Sequence, residues 1–100
     1  MNMQQMMAQA QKMQRELRKA QAELAQKEFV VSKGGAVTVT VFGNKEIKSI
    51  NIDGDAFDAD NKEMIEEMIA LAINEALEQI DAEMEAINER ITGQPGGFGV

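Results

Sequence analysis

Four cations, Lys12, Arg15, Arg18 and Lys19, fall within one eight-residue stretch. On a helix this spacing sets them on one side within about two turns. Cations in such a row can follow a phosphate backbone, each contact releasing a condensed counterion. The other groups that could do chemistry are acids. Glu66–Glu67 and Glu83–Glu85 are carboxylate pairs, but on a solvated helix such pairs are the default and suggest no acid/base dyad. Histidine, cysteine, tyrosine and tryptophan are absent. That removes the commonest general base, the best thiol nucleophile and the usual transition-metal ligands. No phosphate-cradling G-x-x-x-x-G-K-[ST] loop and no G-x-G-x-x-G fingerprint is present. An enzyme is not expected, nor is a cofactor.

Four aspartates crowd the segment Asp53-Gly54-Asp55-Ala56-Phe57-Asp58-Ala59-Asp60. A calcium loop would place glycine sixth and glutamate twelfth; here Gly54 is second and Met64 is twelfth. The segment instead predicts a helix start, with Asp60 as N-cap and Glu63 closing a capping box.

The cations need an element to hold them in line. Met3, Met6, Ala10, Met13, Leu17, Ala20 and Leu24 step by 3, 4, 3, 4, 3 and 4, and Ala70, Ile73, Leu77, Ile80, Met84, Ile87 and Ile91 repeat those steps. This alternation keeps a narrow apolar seam on one helix face, as in coiled coils. The spacing predicts a first helix over Met3–Gln26 and a second over about Asn61–Thr92. Each seam is about 33 Å long. With Met3 at heptad position a, the four cations fall at c, f, b and c, away from the seam. Glu16 falls at g, beside it.

Between the helices, three short β-rich runs alternate with glycine-bearing turns: Glu28–Ser32, Val37–Phe42 and Ile47–Ile52. Connections this short force an antiparallel meander. The expected fold is α+β, with order α-β-β-β-α and two long helices forming a protruding arm. The wide apolar face Met64, Ile65, Met68, Ile69 and Ala72 suits sheet packing, so the second helix covers the sheet first and builds the arm second.

One hundred residues make one domain, expected over 1–92, with a flexible Gly/Pro-rich tail over 93–100. Residues 1–33 hold six Lys/Arg against three Asp/Glu, and residues 34–100 hold four against fourteen, for a net −7. Such a split points to different faces for different partners or for different parts of a dimer. No run of 18 apolar residues occurs, so no membrane span is expected, and the absence of cysteine fits a reducing cytosol.

Ala8-Gln9-Ala10-Gln11-Lys12-Met13-Gln14 is followed in order by Gly35-Ala36-Val37-Thr38-Val39, Gly43, Ile50-Asn51-Ile52-Asp53, Lys62-Glu63-Met64-Ile65 and Ala72-Ile73-Asn74-Glu75-Ala76. Through these stretches nearly the whole chain resembles the YbaB/EbfC family of small bacterial nucleoid-associated proteins. The resemblance implies a homodimer whose helical arms project like tweezers from a central sheet. It also implies largely sequence-tolerant binding of double-stranded DNA through those arms, in the cytoplasm and nucleoid, with a role in nucleoid organisation or gene expression. Carried over by position, the DNA contacts are Lys12, Arg15, Arg18 and Lys19, with Arg90 near the tip. Family members often carry lysine where Ala8 stands, and some carry lysines at the positions of Glu78-Gln79. The competing reading is a protein-interaction module, in which the acidic second helix and the methionine-rich tip dock a protein partner.

Overall fold

In the computed structural model, which describes residues 2–93, helix α1 (Met3–Gln26) begins at a capping box. Asn2 Oδ1 accepts the Gln5 N–H at 2.8 Å and Gln5 Oε1 accepts the Asn2 N–H at 3.3 Å. These bonds satisfy two amides that would otherwise have no intrahelical partner. Lys27 is extended and ends the helix, leading directly into the sheet.

Strands β1 (Glu28–Lys33), β2 (Val37–Phe42) and β3 (Ile47–Ile52) form an antiparallel sheet in the order β1-β2-β3. Gly34 and Gly35 make the first turn at φ +59° and +67°, a region glycine enters without steric cost. The register sets Phe29 opposite Val41 and Val31 opposite Val39, and on the other side sets Val39 opposite Ile50 and Val37 opposite Ile52. A bulge between Thr40 and Val41 brings Ile47 opposite Val41. Period-two alternation therefore collects Phe29, Val31, Val37, Val39 and Val41 on one face, where all five are buried.

A 3-10 turn (Ala59–Asn61) leads into helix α2 (Lys62–Thr92), whose 31 residues cross that face. It packs on β1 and β2 through Ile65, Ala72 and Ala76, then continues past the sheet to meet α1. Ile87 lines the helix–helix groove with Ala20 and Leu24. The chain measures 69 × 21 × 16 Å. Its radius of gyration of 19.0 Å exceeds the roughly 13 Å of a compact 100-residue domain. The excess is the arm.

Three expectations change. The equal seams do not pair along their whole length. Met3, Met6 and Ala10 are exposed, Met13 and Leu17 half-buried, and only Ala20 and Leu24 fully buried on α1. Ala70 is exposed as well, while the sheet is covered by a stripe through Ile65, Ala72 and Ala76. The cause is the double duty of α2. Its first half is spent on the sheet, so its second half reaches only about as far as Glu16–Ala20, where Ile91 lies. The first ten residues of α1 overhang by about 15 Å. Next, Asp60 does not cap α2. Asp58 Oδ1 instead accepts the Asp60 N–H at 2.8 Å to cap the 3-10 turn, and Asn61, the α2 N-cap residue, donates its side-chain amide to the Ala56 carbonyl at 2.9 Å. Finally, β1 extends to Lys33. The expected tail lies almost wholly outside the described residues; Gly93, at φ +74°, closes α2 in the left-handed conformation.

Candidate nucleic-acid interface

The interface is built on α1, a run of good helix formers free of Gly and Pro. Its inner face is anchored where Leu24, 3% exposed, meets Gly43 at the β2–β3 turn. There the Gly43 N–H donates to the Lys27 carbonyl at 2.8 Å and the Asn44 N–H to the Ala25 carbonyl at 3.3 Å. These bonds tie the end of α1 to the sheet and fix the direction of the arm.

Lys12, Arg15, Arg18 and Lys19 are all exposed on this helix. Residues 12 and 19 are about 10 Å apart along the axis, a length over which duplex DNA presents about six phosphates. The sequence has ten Lys/Arg. Five of them, all lysines, are already paired with carboxylates: Lys27–Glu83 at 2.6 Å, Lys33–Glu75 at 2.8 Å, Lys45–Asp81 at 3.0 Å, Lys48–Glu28 at 2.8 Å and Lys62–Glu66 at 2.7 Å. The hydrogen bond from Lys62 to Glu66, and then the charge of Glu66, raise the lysine's pKa. The remaining five are Lys12, Arg15, Arg18, Lys19 and Arg90. Among the described residues none of these has a carboxylate within 4.0 Å.

Arg90 lies on the other helix, α2. It faces α1 from α2, in a groove shared with Glu16, Lys19 and Glu23. Arg90 therefore borders the row at its Lys19 end. Helix α2 carries nine Asp/Glu against two Lys/Arg, whereas Lys12, Arg15 and Arg18 are exposed on α1 and Lys19 borders the groove shared with α2. With screening over about 8 Å at physiological salt, a polyanion meets the α1 surface without feeling the whole acidity of the chain.

Sequence spacing found the stripe but not the neutralisation of the other lysines. Lys27 and Glu83 are 56 positions apart, and no local pattern announces such a pair. Also missed were the exposed Phe57, Ile47 and Ile50, at 75%, 44% and 44%. No group of three or more His, Cys, Asp or Glu among the described residues is arranged to hold a metal ion. No described helix is long and apolar enough to cross a membrane.

The chain is similar to known proteins over nearly its whole length. The profile of the YbaB/EbfC DNA-binding family matches residues 1–95. A nucleoid-associated protein of Clostridium novyi (strain NT) is 48% identical over 102 residues, covering 98% of this chain and 90% of its own length. One from Agathobacter rectalis is 46% identical over 97 residues, covering 96% and 86%. The crystal structure of an uncharacterized protein, HP0035 from Helicobacter pylori, shares the fold with a TM-score of 0.76 at 19% identity, covering 93% of this chain and 99% of that one.

Proposed function

The chain belongs to the YbaB/EbfC DNA-binding family, and from that premise we propose that it binds double-stranded DNA as a homodimer, with little dependence on base sequence. Residues 1–92 act as one domain. Lys12, Arg15, Arg18 and Lys19 contact phosphates, with Arg90 contributing at the margin. The protein works in the cytoplasm on the nucleoid, where it affects DNA organisation and gene expression, and it catalyses no reaction.

The observation that carries this reading is the sorting of the cations. Every lysine on the sheet, its turns and the start of α2 is taken by a carboxylate, and the row on the arm is left open. Phosphate contacts from such a row supply affinity and orientation but read no bases. Fluorescence anisotropy with a labelled duplex of ~30 base pairs, titrated from about 50 to 200 mM salt, tests it. Four to eight neutralised phosphates give a slope of log K against log salt of about −4 to −7. A slope near zero removes the stripe from the account. Absence of binding at the lowest salt by folded dimer shifts the function to a protein partner, docked on exposed Met3, Met6 and Met7 or on the acidic α2.

A further inference from the structure

Helix α1 outruns its neighbour. Its apolar line is buried at Leu24 and Ala20, half-buried at Leu17 and Met13, and exposed at Ala10, Met6 and Met3. The change follows the end of α2, which Gly93 closes in the left-handed conformation. Beyond that point the line continues with no part of α2 over it. Met3, Met6 and Met7 are 74%, 58% and 56% exposed. Methionines gathered on one side of a helix end form an apolar patch that adapts its shape to what it meets.

Charge changes over the same stretch. Residues 2–11 contain no Asp, Glu, Lys or Arg, in a chain where 27% of residues are charged. Their polar members, Asn2, Gln4, Gln5, Gln9 and Gln11, are neutral amides. The cations begin only at Lys12, and Lys12, Arg15 and Arg18 lie on the outer positions of the helix, away from the apolar line.

We infer that these overhanging ends of α1 pair with each other, one from each of two DNA-bound molecules, and so tether two duplexes. The inference rests on the DNA binding proposed above and adds a second contact to it. Three observations favour a second copy as the occupant. The open line continues the one that α2 covers further along α1, so another amphipathic helix end fits it, and a second copy presents an identical one. The spacing also suits a two-fold, antiparallel pair: Met3 falls beside Met13 and Met6 beside Ala10, so a large side chain meets a small one at the centre. Finally, two neutral ends meet without repulsion, and antiparallel approach sends the acidic α2 helices off in opposite directions. Lys12, Arg15 and Arg18 stay open to a phosphate backbone throughout. The contact is small: Met3, Met6, Met7, Ala10 and Met13 on each copy compare with about 20–30 residues a side in a standard interface. It therefore forms where DNA holds several copies close together, which raises their effective concentration, and not in dilute free protein.

Capture of a second duplex tests this pairing. A duplex long enough for several copies is fixed to beads, loaded with the full chain and offered a second, labelled duplex, while anisotropy follows binding to one duplex in parallel. The wild type should do both. A variant with Met3→Gln, Met6→Gln and Met7→Gln keeps charge and helix propensity. It should bind one duplex within about twofold of the wild type and capture the second at least about tenfold less. The sequence has no cysteine, so a single introduced thiol reports the contact directly. Met7→Cys, beside the apolar line near the middle of the overhang, should form a disulfide-linked pair on DNA under mild oxidation. Ala8→Cys, the next residue but on the outer side, should not. Circular dichroism checks the fold, and the cysteine variants stand in if the glutamine variant unfolds. A wild type that binds one duplex but captures no second overturns the pairing and leaves the DNA reading standing. Equal capture by the glutamine variant, or equal cross-linking by the two cysteine variants, overturns it too. Loss of single-duplex binding in the folded glutamine variant makes DNA itself the occupant and likewise overturns the pairing. A wild type that binds no duplex overturns the reading beneath it.

Discussion

Gly43→Ala should be the most damaging glycine-to-alanine change among the described residues. Gly43 starts the β2–β3 turn directly against the end of α1 and has an ordinary negative-side backbone, so the argument is one of space alone. A Cβ built there lies 1.7 Å from the Leu24 carbonyl oxygen and 2.6 Å from its carbon. Both neighbours are backbone, so neither can swing aside. Relief needs a movement of more than about 1 Å between α1 and the sheet, beyond what a close-packed interior absorbs. The movement disrupts the Gly43–Lys27 and Asn44–Ala25 hydrogen bonds, each worth about 1 kcal/mol net. It also loosens the packing of Leu24, which adds about 1–2 kcal/mol. The sum is about 3–4 kcal/mol, equivalent to a fall in Tm of roughly 12–32 °C for a domain of this size. Thermal melts followed by circular dichroism, at matched protein concentration, measure it. A change within about 0.5 kcal/mol would refute the claim that this contact anchors the arm.

Other consequences are more local. Asn2→Ala removes the capping box from a part of α1 with no tertiary support, so amide exchange of the first two turns should quicken while the global Tm stays unchanged; a clear drop in Tm contradicts the free overhang. Ala76, 0% exposed, holds α2 close to the sheet, and Ala76→Leu should destabilise by about 1–3 kcal/mol in urea denaturation, whereas a neutral result would mean that α2 can lift at no cost.

The elements were legible because local rules and tertiary needs agree on them. Val37 to Phe42 alternates apolar and polar-sided residues and becomes the central strand over the same bounds, and α1 runs over Met3–Gln26 as its unbroken run of helix formers predicts. The extent of helix pairing was not legible. A heptad ladder records which side of a helix is apolar but not which partner reaches it, and α2 had to cover the sheet before meeting α1. Hence Ala70 is exposed and Met3 and Met6 extend past the end of α2. The helix start moved for a similar reason: both Asp58 and Asp60 can cap, and the choice depends on the path of the preceding loop. At the interface, the spacing of Lys12, Arg15, Arg18 and Lys19 shows the row, while its contrast with the other lysines exists only after folding brings Glu83 to Lys27 and Glu75 to Lys33.

Two triple variants of equal charge test whether that contrast governs DNA binding. One replaces Arg15, Arg18 and Lys19 with alanine, and the other replaces Lys27, Lys33 and Lys48, each of which holds a carboxylate. Both change the net charge by the same amount, and all six positions lie outside the buried core. The measurement is the salt slope of duplex binding for each folded variant. The first should flatten the slope by about 2.7 per chain, since each lost phosphate contact removes about 0.9. The second should leave the slope as in the wild type. Equal losses in both variants, or a greater loss in the second, would show that net charge or the sheet surface binds DNA, and would contradict the account.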